Sequence, residues 1–170
     1  VKRIDGKKKI TYFSQPYEHA TTKSILETLA RHCLYNGFCL CIKLHPRDKA
    51  SLYKEFLSEY ESFAYISSYE DVETLISDSF VCVTRTSSVI KECIAKRSAI
   101  IVCLWSDYDR SVRFDYVQSC SDFSDICCGS SEEFGSLLDN PELLLESSKK
   151  LHQGFFLSNN LNTLRQFIRD

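Results

Sequence analysis

The sequence predicts an α/β domain: a doubly wound parallel sheet of about five strands with helices on both faces. Three observations carry this. Short apolar, β-branched-rich runs recur at residues 10–13, 38–44, 63–66, 80–83 and 99–104, the pattern of strands buried on both faces. Segments of helical spacing separate them, so each connection is a crossover rather than a hairpin. The junctions hold Pro, Gly, Ser and Thr, which punctuate rather than continue either element. Right-handed crossovers then place helices on both faces, and a strand order of 3-2-1-4-5 follows, with ligands expected over the carboxyl edge where the chain reverses direction.

Taken in order, residues 10–13 form the first strand, and Ser14, Gln15 and Pro16 end it, because Pro cannot sit in a central strand. Residues 21–36 are helical, with Ile25, Leu26, Leu29, Cys33 and Leu34 on one face and Gly37 just past the end. Residues 38–44 are the second strand. His45 stands at its carboxyl tip, held extended by Pro46. Residues 49–60 carry Leu52, Phe56 and Leu57 on an apolar stripe, and residues 63–66 are strand three. Ser68, Tyr69, Glu70 and Asp71 resemble a capping box that opens a short helix through Val72, Leu75 and Ile76. Residues 80–95 then give the unit on which the rest is organised: a buried strand, a hydroxyl-rich turn (Thr84, Arg85, Thr86, Ser87, Ser88) and a helix through Val89, Ile90, Cys93 and Ile94. Strand five occupies 99–104. Beyond Trp105 the pattern weakens through residue 131, and helical spacing returns at 141–151 and in Leu161, Leu164, Phe167 and Ile168.

At 170 residues and 44% hydrophobic, the chain buries one good core. The expected organisation is a basic end or linker at 1–8, a nucleotide-binding domain at 9–131 and C-terminal helices at 132–170. A net charge of -2 argues against nucleic acid as a partner, despite Lys2, Arg3, Lys7, Lys8 and Lys9. No apolar run reaches the length of a membrane span and no signal-peptide pattern is present. The absence of Met is the expectation of a chain that begins inside a longer protein. Of nine Cys, those at 39, 41, 82, 93 and 103 lie in apolar patterns and read as buried thiols, and neither Cys39/Cys41 nor Cys127/Cys128 has zinc-site spacing, so no metal is expected.

The candidate site is a convergence of three strand tips. Ser14 and Gln15 end strand one, His45 ends strand two, and Thr86, Ser87 and Ser88 lead into a helix N-terminus, whose free N–H groups and dipole suit an anion. The plainer alternative is that Ser87 or Ser88 only caps that helix. Glu92 lies one turn up the same helix and suits a ribose beside the phosphate; the alternative is a surface pair with Lys96. His45 is the candidate donor to a bridging or leaving phosphate, with Lys43 and Arg47 adding positive field, or else a turn residue only.

With these residues in hand, the sequence resembles the C-terminal, donor-binding half of GT-B glycosyltransferases, particularly bacterial polysialyltransferases and the glycerophosphate transferases of teichoic acid synthesis. Lys43, Leu44, His45 and Pro46 look like the HP motif of those families, and Thr86, Ser87, Ser88 and Glu92 like their Ser/Thr-rich motif with its helix Glu, over residues 9–117. The resemblance implies a Rossmann-like fold and no cofactor beyond a CMP- or CDP-linked donor. It implies that His45 and the Ser87/Ser88 turn hold the donor phosphate, with Glu92 near the ribose. It also implies a glycan acceptor, a cytoplasmic location, at the inner face of the membrane in the parent, and a role in capsule or lipopolysaccharide synthesis.

Two departures bear on catalysis. The acidic base of those families comes from an N-terminal Rossmann domain for which this chain has no room, and the first loop lacks their Gly residues. The chain alone is therefore expected to lack the base. In GT-B proteins the last helices cross back onto the partner domain; if Leu161, Leu164, Phe167 and Ile168 form that face, self-association is expected, and packing on the domain's own sheet is the alternative. A non-enzymatic phosphate-binding or protein-interaction module of the same fold is the competing function. A receiver domain is excluded by strand tips without Asp, and thiol catalysis by the lack of a Cys at a strand-tip turn.

Overall fold

Strand β1 (Lys9–Phe13) runs through the middle of a six-stranded sheet of order β3-β2-β1-β4-β5-β6. The computed structural model describes residues 7–67, 69–112 and 121–167, with backbone only for 121, 122 and 156–167. To one side of β1 lie β2 (Cys39–Lys43) and β3 (Ala64–Ser67); to the other lie β4 (Val81–Thr84), β5 (Ile100–Cys103) and β6 (Cys127–Cys128). All neighbours pair in parallel. The expected order is thus present, and β6 extends it by one strand; its two residues are too short a run to stand out between polar neighbours.

Burial explains why these stretches became strands. All of β4 and β5 and most of β1 and β2 are inaccessible to solvent, as a sheet covered on both sides requires. Helix α1 (His19–Asn36) covers the β1/β2 half with Ile25, Leu26, Leu29, Ala30 and Cys33, whereas Leu34, expected on that face, is 66% exposed. It ends where Gly37 takes a left-handed φ of 68° and donates its N–H to the Cys33 carbonyl. A 3-10 turn (Ala50–Tyr53) leads into α2 (Lys54–Tyr60), and here Tyr53 is buried while Leu52 points outward.

Helix α3 (Val72–Asp78) is capped by Asp71, which accepts from the Thr74 N–H at 2.8 Å. The cap is therefore one residue before the helix; Ser68, the expected capping residue, lies outside the described residues. Helix α4 (Val89–Ala95) follows β4, α5 (Asp107–Ser111) follows β5, and α6 (Ser131–Leu138) and α7 (Pro141–Phe167) follow β6. Helix α6 packs against α1, and α4 against α3 and α7. Leu144 and Leu151 anchor the first half of α7 in the core, each contributing roughly 1.5–3 kcal/mol. His152 bonds the Ile94 carbonyl through Nδ1 at 3.1 Å and meets Arg97 through Nε2 at 3.2 Å. The side chains of Leu161, Leu164, Phe167 and Ile168 lie outside the described residues.

The register fixes what faces the carboxyl edge. Ser67, Lys43, Phe13, Thr84, Val102 and Cys127 stand level across the six strands, so the turns that follow them emerge along one line.

Candidate functional site

The β2 tip is a closed knot of hydrogen bonds. Ser14 donates its hydroxyl to Asp48 Oδ2 at 2.7 Å and accepts the His45 N–H at 3.0 Å, tying the ends of β1 and β2 together. Tyr53 donates to the same Asp48 oxygen at 2.5 Å, and the Asp48 N–H donates to the His45 carbonyl at 2.8 Å. Burial first, and the bond to Asp48 second, push the Tyr53 phenol above its ordinary range, so it stays a donor. Pro46 has no N–H, and the next one, on Arg47, donates to His45 Nδ1 at 3.1 Å. An Nδ1 that accepts carries no proton, so the neutral ring bears its hydrogen on Nε2. His45 is half-buried, with Pro46 and Arg47 exposed beside it. Lys43 is committed elsewhere: its Nζ donates to the Glu70 carbonyl at 2.6 Å.

The β4 tip is built around a buried cation. Arg85 is 0% exposed. Its Nε donates to both oxygens of Asp109 at 3.0 and 3.1 Å, its Nη1 to the Tyr17 carbonyl at 3.0 Å, and its Nη2 to Glu18 Oε2 and, at 3.4 Å, to the Ser106 hydroxyl. Ser106 in turn donates to Glu18 at 2.7 Å, and with Asp109 it forms the capping box of α5. Asp109 is itself 0% exposed, so a buried charge meets a buried partner, as it must. Ser106 and Arg85 together hold the Glu18 carboxyl below its ordinary range.

Above this hub, Tyr17 bonds Thr86 hydroxyl to hydroxyl, and its ring lies 4.7 Å from that of Tyr108. Burial raises the Tyr17 phenol, outweighing the bond to Thr86, which lowers it. Ser87 accepts the Val89 N–H at 3.3 Å, a long capping bond, while Ser88 has helical backbone angles and makes no side-chain cap. Of the two, Ser87 is therefore the cap and Ser88 presents an exposed hydroxyl. Glu92 is exposed on α4, and the pairing weighed for it does not form, because Lys96 reaches Glu73 at 2.6 Å instead.

The expected residues thus fall into two groups. His45 is half-buried and Arg47, Ser88 and Glu92 are exposed; Ser14, Lys43, Thr86 and Ser87 use their side chains to position neighbouring backbone or side chains. Gln15 is buried at 6% exposure and Pro46 shapes the turn. Strands lie about 4.8 Å apart, so the β2 and β4 tips are separated by roughly 10 Å across β1, a span on the scale of a nucleotide. Sequence reading missed Arg85, Glu18, Tyr17, Asp48 and Asp109. The available signal was the Ser106-to-Asp109 spacing of a capping box and a charged residue placed directly after a wholly apolar strand.

Three cavities are lined by none of the expected site residues, although Tyr53 borders the first. One of about 280 Å³ lies between α1 and the Leu52–Glu59 region, and one of about 560 Å³ beside β6, α6 and α7; a third is lined by Thr28, Arg31, His32, Tyr35, Ser131 and Glu132. Among the described residues no cluster of His, Cys, Asp and Glu has the makings of a metal site, and no helix is long and apolar enough to cross a membrane.

No protein-family model and no curated protein sequence matches the chain. Solved structures do. The wall teichoic acid polymerase TagF, in a crystal soaked with CDPG, is 21% identical with a TM-score of 0.66, over 89% of this chain and 37% of that one. TarM is 12% identical with a TM-score of 0.66, over 99% and 36%. The UDP-GlcNAc 2-epimerase of Neisseria meningitidis, bound to UDP-GlcNAc, is 13% identical with a TM-score of 0.62, over 98% and 46%. The chain spans between 36% and 46% of the length of these proteins. At such identities the likeness is one of fold, and that fold is the Rossmann-like half of a GT-B architecture.

Proposed function

We propose that the chain is the nucleotide-sugar donor-binding half of a bacterial glycosyltransferase of surface polysaccharide synthesis, sialyltransferase-like in its motifs and taking a CMP- or CDP-linked donor. The observation that carries this reading is the placement of two groups on either side of β1: the half-buried His45, whose Nδ1 is held by the Arg47 N–H, and the exposed Ser88 at the start of α4, with Glu92 one turn further on. A nucleotide donor lies across that gap, its phosphate oxygens accepting hydrogen bonds from the two sides and its ribose hydroxyls donating to the Glu92 carboxylate.

In this reading the glycosidic C–O bond to the donor phosphate breaks as the acceptor oxygen attacks. Charge grows on the departing phosphate, and His45 Nε2–H meets it, aided by the α4 N-terminus and the exposed Arg47. The acceptor's proton goes to a carboxylate of a preceding Rossmann domain that completes the cleft. The nucleotide sugar is a substrate, so the chemistry calls for no further cofactor. Use of a nucleotide donor locates the work in the cytoplasm, at the inner face of the membrane for a surface polymer.

His45→Ala in the complete protein is expected to abolish transfer while leaving unfolding unchanged within about 1 kcal/mol, since the Ser14–Asp48–Tyr53 knot persists without the ring. Turnover at the wild-type rate in that variant contradicts the proposal. One observation favours the competing reading of a phosphate-binding or interaction module without chemistry: Ser14, Lys43 and Thr86 already have internal partners. Unchanged CMP affinity together with no transfer by the complete protein is the outcome that selects it.

A further inference from the structure

The segment from Gln15 to Glu18 crosses the carboxyl edge between the β2 and β4 tips, and nothing in its own sequence explains its course. Glu18 adopts a left-handed φ of 47°, a conformation that a non-glycine residue takes only when its surroundings impose it. The imposing contacts come from Arg85 and Ser106, which seize the Glu18 carboxylate, and from Arg85 Nη1, which takes the preceding carbonyl of Tyr17 at 3.0 Å. Asp109, on α5, holds the other side of the guanidinium. One buried side chain therefore fastens the loops after β1, β4 and β5 to each other. With two carboxylates on it, Arg85 has its charge fully answered and its donors occupied, so it is not itself a phosphate ligand.

We propose that the Glu18–Arg85–Asp109 triad is a positioning device for the donor site: by pinning the 15–18 strap it seats Tyr17 on Thr86 and sets the backbone of the Thr86–Ser88 turn to receive the phosphate. This rests on the donor-binding reading above. The connection runs through named contacts. Strap placement fixes the Tyr17 hydroxyl, that hydroxyl fixes the Thr86 side chain, and Thr86 adjoins the Ser87 hydroxyl that holds Val89 N–H. Arg85 and Asp109 are positioning residues in this scheme, and Glu18, 37% exposed at its side chain, is the member whose removal leaves the buried pair intact.

The test uses Glu18→Gln and Ser106→Ala in the chain as it stands, with Ser130→Ala as a control. Ser130 caps α6 by accepting the Glu133 N–H at 3.2 Å and so costs stability without touching the strap. Amide exchange and chemical shifts are recorded first without ligand, then during titration with CDP. Glu18→Gln is expected to speed exchange of the Thr22 amide, which donates to the Glu18 carbonyl at 3.1 Å, by roughly tenfold, to shift the Thr86, Ser87 and Ser88 amides, and to weaken CDP several-fold. Ser130→Ala is expected to leave those amides and the CDP affinity unchanged. Wild-type exchange and shifts in Glu18→Gln overturn the proposal. So does tighter CDP binding, which would make Glu18 a competitor for the anion. If the wild-type chain binds no nucleotide while the ligand-free shifts change as expected, the donor reading fails and the triad's hold on the three loops stands.

Discussion

Two strand tips on either side of β1 solve the same problem in opposite ways. At the β2 tip a half-buried carboxylate, Asp48, collects neutral donors from Ser14 and Tyr53, and the product is a half-buried imidazole held at the strand end. At the β4 tip a fully buried guanidinium, Arg85, collects carboxylates, and the product is three loops locked together. The first arrangement leaves the imidazole beside the strand tip; the second spends its buried charge on architecture and leaves only the Ser88 hydroxyl, beyond the clasp, exposed. A charged residue at a strand tip is thus no guide to where a ligand's charge goes, since Arg85 is enclosed by its own partners.

The sharpest way to break the contrast is to remove the buried cation. Arg85→Met leaves the Asp109 charge without its cation in a site closed to solvent, with the Ser106 N–H as its remaining donor, and a loss of about 3–5 kcal/mol is expected in urea unfolding. Pairing it with Asp109→Leu is expected to recover most of that loss, since it removes both buried charges together. An Arg85→Met variant as stable as wild type would mean that the clasp is not what holds the three loops. Ser14→Ala at the other tip is expected to cost less, roughly 1–3 kcal/mol, because it unpairs the His45 N–H and one Asp48 contact near water; the His45 ring resonances should shift in the same variant.

The sequence carried the scaffold further than the site. Strands one to five and Gly37 at the end of α1 were legible because strand burial and helix termination are local signals written in consecutive residues. Strand β6 was not, since Cys127 and Cys128 pair with β5 through register alone. Lys96 has a carboxylate one turn away in Glu92, yet its partner is Glu73, on a different helix. Arg85 looked like one more turn residue among hydroxyls; its partners sit 67 and 24 positions away, and only the fold brings them within reach. His45 and the Ser pair were legible because Pro46 and the helix start mark their positions along the chain.

Smaller effects test the scaffold apart from either tip. Gly37→Ala is expected to cost roughly 1 kcal/mol: an added Cβ meets nothing within 4 Å, so only the left-handed φ opposes it. Acid supplies a last comparison. Glu18, Asp71 and Glu132 are all held below their ordinary values of 4.5, 3.8 and 4.5, by Ser106, by the Thr74 N–H and by hydrogen bonds at the start of α6 respectively. A depressed carboxyl stabilises the fold above its unfolded value, and that stability is lost as pH falls through the folded one. Unfolding midpoints are therefore expected to hold steady down to about pH 5 and to decline below it, with a shallower decline in Glu18→Gln.

The central claim, that the edge between His45 and Ser88 holds a nucleotide phosphate, is tested most directly by NMR titration of the chain with CMP, CDP, UMP and UDP, alongside His45→Ala and Glu92→Ala. Two or three charge-assisted bonds at roughly 1.5–3 kcal/mol each, set against an association cost of at least about 4 kcal/mol, predict saturable binding near millimolar. Cytidine-selective shifts at His45, Ser87 and Ser88 that disappear in both variants are expected. No shift with any nucleotide, or shifts that persist without His45 and Glu92, would contradict the claim.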